Sequence, residues 1–239
     1  PIDHGLPDGW LWPFKHNESH RKALFSHRRT AESQYMQRPR RFNEEGALWN
    51  EQSISAARDL QIKYELSRTV VAIDPATTSS DESDETGIVV ASSYGYGDDR
   101  QYSVDGDYSG TYKPSVWAKK AIDAYEAHSA DCIVIETNQG GDMAEETLRN
   151  AGFKGRIIRV HAKKGKFARA EPISALYDQG RVAHQGNLYL LENQLMEYVP
   201  TTSSKSPDRL DALVYALIEL SGMSQSMGVV LPKRLRGRN

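Results

Sequence analysis

The sequence feature that most restricts the fold is DCIVIET at residues 131–137, where four apolar residues follow one another without a polar break. A strand with one solvated face alternates apolar and polar residues, whereas a continuous apolar run is typical of a strand buried on both faces. Sheets that contain such strands are covered by helices on both sides. The run therefore predicts an α/β protein with an internal strand at this position.

Strands are predicted on either side of this run in a characteristic order. TVVAID at 69–74 ends in an Asp-Pro turn, and two more strand-like runs at 86–95 and 100–110 follow at hairpin spacing. After the apolar run, short strands alternate with helices. These later strands are predicted at 156–160 and 181–184, and the helices at 114–128, 140–150, 167–178, 187–199 and 206–221. The order predicts a central mixed sheet of five or more strands with helices on both faces.

Composition excludes membrane-spanning and disulfide-rich classes of protein. No apolar run approaches the length of a membrane span, and the polar N-terminus carries no secretory signal. The single cysteine, Cys132, excludes an internal disulfide framework and favours a reducing compartment. We therefore expect a protein that is not secreted and has no membrane partner.

Charge is distributed unevenly along a chain whose formal net charge is only −2. Basic residues cluster at 26–29, 38–41, 163–169 and 233–238, and acidic residues cluster at 79–85. Separated clusters predict that one surface can bind a polyanion although the whole chain is nearly neutral. Each cluster by itself could equally be ordinary solvated surface.

The chain is predicted to contain one large domain with a segment on either side. Residues 1–66 lack regular periodicity, apart from a candidate helix at 51–66, and are expected to be a linker or N-terminal segment. The regular pattern of strands and helices fills residues 67–222. The remaining residues, 223–239, are expected to form a loosely held basic tail.

Three acidic residues follow the predicted elements at positions suited to metal binding. Asp74 ends the first strand, Glu136 ends the internal strand, and Asp211 lies near the start of the last helix. If the two strands are parallel neighbours, their carboxyl ends bring Asp74 and Glu136 to the edge where open α/β sheets bind ligands. Oxygen ligands suit Mg²⁺ or Mn²⁺, and two such ions can promote hydrolysis of a phosphodiester. The pattern predicts a site for two ions, with no protein nucleophile.

Structural explanations of these acids stay open. An aspartate before proline, such as Asp74, is often a turn residue. Asp208 lies in the first turn of the last helix, where Ser206 can cap the helix and the helix dipole favours a carboxylate. Glu136 and Asp211 are harder to explain, because glutamate is rare in strands and Asp211 borders the apolar stripe of its helix. Asp208 is therefore a candidate fourth ligand.

Basic and amide side chains near the acids predict contacts with a nucleic-acid backbone. Lys163, Lys164, Lys166 and Arg169 lie between a predicted strand and the following helix, where they could neutralise phosphates. Asn138 belongs to a Gly-rich turn whose backbone N–H groups could hold a phosphate. A solvated loop is the alternative explanation of both segments.

Taken together, these segments resemble the C-terminal nuclease domain of the large terminase subunit of tailed bacteriophages, which has a ribonuclease H-like fold. The similarity runs from about residue 33 to residue 220. It depends on the combination of motifs, since each motif alone is weak. The motifs are SQYMQRP, EEGALW, VVAIDPA, SDETGIVVA, IVIETNQGGD, HAKKGKFARAEPISALYDQGRV and SPDRLDALVYAL.

The resemblance implies an endonuclease of a viral packaging motor, which cuts concatemeric double-stranded DNA in the host cell cytoplasm. It implies that residues 1–66 follow an ATPase domain, since this chain has no Walker motif GxxxxGK(S/T). The portal and the small terminase subunit are the implied partners of the full-length protein. The acidic stretch after Asp74 is expected to regulate access of DNA. The implied ligands of two Mg²⁺ or Mn²⁺ ions are Asp74, Glu136 and Asp211, with Asp208 as a candidate fourth.

Two other functions are compatible with the same residues. A Holliday-junction resolvase or a transposase would share the acids, although resolvases lack the QYMQRP and EEGALW segments. A non-catalytic module that docks on the portal or on DNA would keep the fold and lose the chemistry. Cleavage assays on variants of the acids distinguish these alternatives.

Overall fold

The structure is a computed structural model, and the residues that it describes fall in six ranges. These are 47–75, 85–137, 141–162, 165–200, 208–223 and 229–230. All of them belong to one compact unit. No helix within these ranges is long and apolar enough to cross a membrane.

A mixed sheet forms the centre of this unit. Its strands are β1 Leu66–Asp74, β2 Gly87–Tyr94, β3 Gln101–Asp107, β4 Cys132–Glu136, β5 Ile157–Ala162, β6 Val182–His184 and β7 Val229–Val230. Their order across the sheet is β6-β3-β2-β1-β4-β5-β7. β1, β2 and β3 form an antiparallel meander, whereas β4 and β5 run parallel to β1 and β6 runs parallel to β3. The predicted mixed sheet is confirmed, and β7 extends it from within the region expected to be a tail.

Helices cover both faces of the sheet, as predicted. They are α1 Glu51–Asp59, α2 Pro114–Ala127, α3 Gly141–Asn150, α4 Lys166–Asp178, α5 Tyr189–Glu197 and α6 Asp208–Ser221. α2 and α3 share one core with side chains from β1, β2 and β4. α6 packs along β1 and β2, and both α4 and α5 pack against α6.

The apolar run that dominated the sequence is the internal strand β4. Cys132 through Ile135 are completely buried. Ile133 and Ile135 belong to the core shared with α2 and α3. Side chains alternate between the faces of a strand, so Val134 and Glu136 point to the other face, which α6 covers. The prediction of burial on both faces is therefore confirmed.

The segment before β1 differs from the prediction of a helix at 51–66. α1 ends at Asp59, and the chain then becomes extended from Leu60. Polar groups of the neighbouring strands account for this, because the side chain of Gln101 accepts a hydrogen bond from the N–H of Lys63 at 2.9 Å. Trp49, just before α1, is fully buried and packs edge-to-face on Tyr177 of α4. Packing of the described core thus begins before the boundary predicted at residue 67.

A buried polar network joins α1 to α4, α5 and β6. Glu192 of α5 accepts hydrogen bonds from His184 Nδ1 and Arg58 Nε, each at 2.9 Å. Tyr177 Oη lies 2.9 Å from His184 Nε2. Burial acts to raise the pKa of Glu192, but the hydrogen bonds from His184 and Arg58 outweigh it and lower the pKa to about 2. The ionised carboxylate is therefore the form that stabilises the fold.

We expect the free energy of unfolding of the Glu192→Gln variant to fall less than that of the wild type as the pH is lowered. A depressed pKa contributes stability that is complete above the ordinary value of 4.5 and is lost as the pH falls towards about 2. The gap corresponds to about 3 kcal/mol in the free energy of unfolding. Urea unfolding from pH 7 to pH 2 should show the two proteins converging at low pH. Glu146→Gln, at an exposed position, is the control, and an unchanged acid slope in Glu192→Gln would contradict the assignment.

Candidate active site

The register of two parallel strands brings two of the predicted acids together. Ile73 of β1 lies opposite Ile135 of β4. The next residue along each strand is an acid, so Asp74 and Glu136 come side by side at the carboxyl edge of the sheet. Alternation turns both side chains to the face that α6 covers. Glu136 is close enough to Asp74 to raise the pKa of that carboxyl group.

The first turn of α6 supplies the other acids because it approaches the sheet very closely. Gly87 is paired with Asp74 in the β1–β2 ladder. A Cβ atom at Gly87 would lie 2.0 Å from the carbonyl oxygen of Asp208. Only a residue without a side chain therefore allows α6 to rest on the sheet here. Asp208 and Asp211 are both buried, and the charges of both raise the pKa of Asp74.

Two basic residues of α4 contact these acids. Lys166 Nζ forms an ion pair with Oδ2 of Asp211. Arg169 Nη2 lies 3.4 Å from the other carboxylate oxygen of Asp211, and Arg169 Nη1 lies 3.9 Å from Glu136 Oε1. The same Nη1 donates a hydrogen bond to the hydroxyl of Tyr215 at 2.7 Å. Because Arg169 is only 6% exposed, its position is set by this network and not by solvent.

Acidic groups outnumber basic groups among the described residues of α4, α6 and the ends of β1 and β4 that form this cluster. These are four carboxylates and the two basic groups of α4, which together carry a net charge of −2 when all are ionised. Burial, then the charge of Asp211, then the hydrogen bond to Glu136 raise the pKa of Asp74 well above its ordinary value. Burial also raises the pKa of Asp211, although Lys166 and Arg169 act in the opposite direction. A buried excess of negative charge is unfavourable unless a cation compensates it.

The donor atoms suit Mg²⁺ or Mn²⁺, which prefer oxygen ligands. Asp74 and Glu136 already stand next to each other on the same face. Asp211 directs its two oxygens to Lys166 and Arg169. In this arrangement, no three His, Cys, Asp or Glu side chains among the described residues are grouped so that they could hold one ion. The donor atoms are thus of the kind that such cations prefer, while Asp211 is paired with Lys166 and Arg169 in this arrangement.

The predicted DNA contacts have different outcomes. Lys166 lies beside the acids and is about one-quarter exposed, but its ammonium group is paired with Asp211. Arg169, which the sequence placed near the site or on DNA, lies beside the acids, in the interior among Asp211, Tyr215 and Glu136. The reason is that its position on α4 faces α6. Lys163, Lys164 and Asn138 lie outside the described residues.

Sequence reasoning missed two residues that shape this site. Tyr215 lies one turn after Asp211 on α6, is fully buried, and also stacks under the guanidinium of Arg169 at 5.1 Å. The sequence shows that Tyr215 lies four residues after Asp211 and so on the same side of the helix. A tyrosine on an apolar helix face is common in protein cores, so its presence there did not indicate a role in the site. Gly87 could have been recognised, because a glycine within a β-branched strand often marks a close approach of another backbone.

Comparisons with known proteins agree with the fold described above. A family model described as a terminase RNaseH-like domain matches residues 71–220. Among solved structures, the large terminase of bacteriophage HK97 superposes with a TM-score of 0.55 at 11% identity, covering 84% of this chain and 50% of that one. The nuclease domain of the P22 large terminase gives 0.53 at 14% identity, with coverages of 73% and 92%.

A third similar structure is the nuclease domain of the large terminase subunit gp2 of bacterial virus Sf6. It has a TM-score of 0.52 at 16% identity and covers 72% of this chain and 98% of that one. A mutant of that domain has also been solved with manganese, and another structure of it contains calcium. No curated protein sequence matches the chain. The chain spans about half the length of the HK97 large terminase.

Proposed function

This chain belongs to the terminase RNase H-like domain family, and from that membership and its acidic site we propose that it is a metal-dependent DNA endonuclease. The substrate is double-stranded DNA, cut by hydrolysis of a phosphodiester. In the complete protein, which we propose also carries a packaging ATPase, the natural substrate is concatemeric viral DNA. The portal and the small terminase subunit are the proposed partners there.

One observation carries this proposal. The register of β1 and β4 sets Asp74 beside Glu136 on the same face on which α6 presents Asp208 and Asp211. A structural role would be served by one of these acids, but it gives no reason to collect four carboxylates at one buried edge. Their excess negative charge supports binding of divalent cations. The manganese and calcium structures of the Sf6 domain support the same conclusion.

We assign the chain's own groups the following roles. Asp74, Glu136 and Asp211 are the ligands of two Mg²⁺ or Mn²⁺ ions, and Asp208 is the candidate fourth. Such ions supply Lewis-acid activation of the phosphodiester and of the attacking water.

The basic residues of α4 have separate roles. Arg169, held by Tyr215, fixes the orientation of Asp211 and keeps a positive charge near Glu136. Lys166 neutralises Asp211 in the absence of metal. With a metal ion bound at Asp211, the partly exposed ammonium group of Lys166 would contact a phosphate of the DNA.

The test is a cleavage assay on supercoiled plasmid with Mn²⁺, Mg²⁺, Ca²⁺ or EDTA. We expect nicked and linear products with Mn²⁺ or Mg²⁺ and intact plasmid in EDTA. The Asp74→Asn variant, purified in the same way, controls for contaminating nucleases. Absence of cleavage with every metal, under conditions in which the protein is folded, would favour the non-catalytic docking module. A strong preference for four-way junctions over plasmid would favour a resolvase.

A further inference from the structure

A third basic residue, after Lys166 and Arg169, lies beside the acids and is not part of the proposed metal site. Arg209 sits between Asp208 and Asp211 in the chain and is only 5% exposed. Its Nε donates a hydrogen bond to Glu85 Oε2 at 2.8 Å, and its Nη2 pairs with the other oxygen of Glu85. Its Nη1 pairs with Asp107. The guanidinium is therefore held by two carboxylates at once.

These partners lie at the ends of two neighbouring strands of the sheet. Glu85 lies two residues before Gly87, which begins β2. Asp107 is the last residue of β3 and pairs with Val89 in β2. Arg209 Nη2 also lies 3.3 Å from the carbonyl oxygen of Ser109, which follows β3. The first turn of α6 is thus attached to the start of β2 and the end of β3 by a planar group whose hydrogen-bonding directions are fixed.

We propose that Arg209 is a positioning residue that sets the places of Asp208 and Asp211 relative to Asp74. This inference rests on the proposed metal-dependent nuclease function. Arg209 belongs to the same helical turn as both acids, so a shift of its guanidinium moves their backbone as well. Contact of α6 with Gly87 limits how far the turn can approach the sheet, and Arg209 limits how far it can move away or slide.

The opposite end of α6 provides a matched comparison. Glu219 is buried near the end of the helix, and its Oε1 lies 2.7 Å from Arg68 Nη1 at the start of β1. Arg68 also donates a hydrogen bond to Cys132 Sγ at 3.2 Å. This second ion pair holds the same helix on the same sheet, but it lies ten residues, or about 15 Å, further along the helix from Arg209. Loss of either pair should weaken the fold, whereas only loss of the Arg209 contacts should disturb the acids.

The experiment measures the affinity of the full chain for Mn²⁺ by titration calorimetry without DNA. We expect Arg209→Gln to weaken Mn²⁺ binding by about 10- to 100-fold, as is usual when a group that orients metal ligands is lost. Arg209→Lys keeps the charge but loses the fork of donors, so its affinity should lie between wild type and Arg209→Gln. Arg68→Gln, with a comparable loss in melting temperature, should bind Mn²⁺ like wild type.

Each outcome decides between distinct conclusions. If Arg209→Gln binds Mn²⁺ as tightly as wild type, or if Arg68→Gln weakens binding equally, Arg209 has no positioning role. If Arg209→Gln does not fold, Glu85→Gln is measured instead, because Arg209 then keeps its ion pair with Asp107. Unchanged Mn²⁺ affinity in both Glu85→Gln and Arg209→Lys would overturn the inference. Wild-type protein that neither binds Mn²⁺ nor cuts plasmid overturns the proposed function and this inference together.

Discussion

Replacement of Asp74 by asparagine is expected to abolish metal-dependent cleavage and, at the same time, to make the metal-free protein more stable. Loss of a ligand removes several kcal/mol of transition-state stabilisation, so the rate should fall about a thousandfold or more. Burial, the charge of Asp211 and the hydrogen bond to Glu136 raise the pKa of Asp74. Ionisation of Asp74 therefore costs stability at neutral pH, and the uncharged amide removes that cost.

Two measurements on the same preparation check this expectation. Plasmid cleavage in Mn²⁺ should disappear in Asp74→Asn, and in Glu136→Gln and Asp211→Asn as well. Thermal unfolding of Asp74→Asn in EDTA should occur at a higher temperature than that of wild type. An acid whose role is purely structural would give the reverse pattern, with preserved cleavage and lower stability.

Asp105→Asn is the matched control for this prediction. Asp105 is also a carboxylate whose pKa burial raises, but its partners are the hydroxyl groups of Ser92 and Ser103. It is not among the acids at the carboxyl edge of β1 and β4. We expect this variant to keep metal-dependent cleavage, and a loss equal to that of Asp74→Asn would show that cleavage responds to any buried acid.

Replacement of Gly87 by alanine is expected to reduce both stability and cleavage, although it adds a single methyl group. The new Cβ would lie 2.0 Å from the carbonyl oxygen of Asp208, 2.6 Å from its carbonyl carbon and 3.0 Å from Cβ of Ala212. Because these contacts are mainly with backbone, α6 must move away from the sheet. Overpacking of this kind costs about 3 kcal/mol or more, and the movement takes Asp208 and Asp211 away from Asp74.

Gly97→Ala separates the effect of this contact from the general effect of losing a glycine. Gly97 has a φ of +67° and nothing within 4 Å of a Cβ atom built on it. Its replacement should cost about 1–2 kcal/mol through backbone strain and leave cleavage unchanged. Urea unfolding and plasmid cleavage at low temperature, where both variants are folded, measure the two effects. Normal cleavage by Gly87→Ala would mean that the approach of α6 is not needed for the site.

The sequence predicted the sheet well because its signals are local. A continuous apolar run such as that of β4 can bury the side chains on both of its faces only between two layers of helices. An acid at the end of such a strand can also be recognised from the sequence, because it is the first polar residue after the apolar run. Glu136 follows four buried apolar residues in this way. The helix predicted at 51–66 is too long, since the observed helix ends at Asp59 and the chain is extended from Leu60. After Leu60 the backbone forms hydrogen bonds with groups that are distant in sequence, such as the side chain of Gln101.

The partners of the charged residues could not be predicted in the same way. Arg169 looked like a phosphate contact, since a basic residue in a basic stretch is usually solvated. Its burial between Asp211 and Tyr215 depends on α4 packing against α6, two elements that are distant in sequence. Arg209 was not singled out, because its partners Glu85 and Asp107 lie more than 100 residues earlier in the chain.

The sequence by itself indicated which strand is internal and which acids end the strands, and therefore which acids would meet at one edge of the sheet if β1 and β4 were parallel neighbours. Those properties follow from hydrophobic periodicity and from the alternation of side chains along a strand. Only the tertiary structure decided how closely α6 approaches that edge and which cation each carboxylate contacts. These depend on a missing Cβ at Gly87 and on ion pairs between distant segments, and such contacts exist only after the chain has folded.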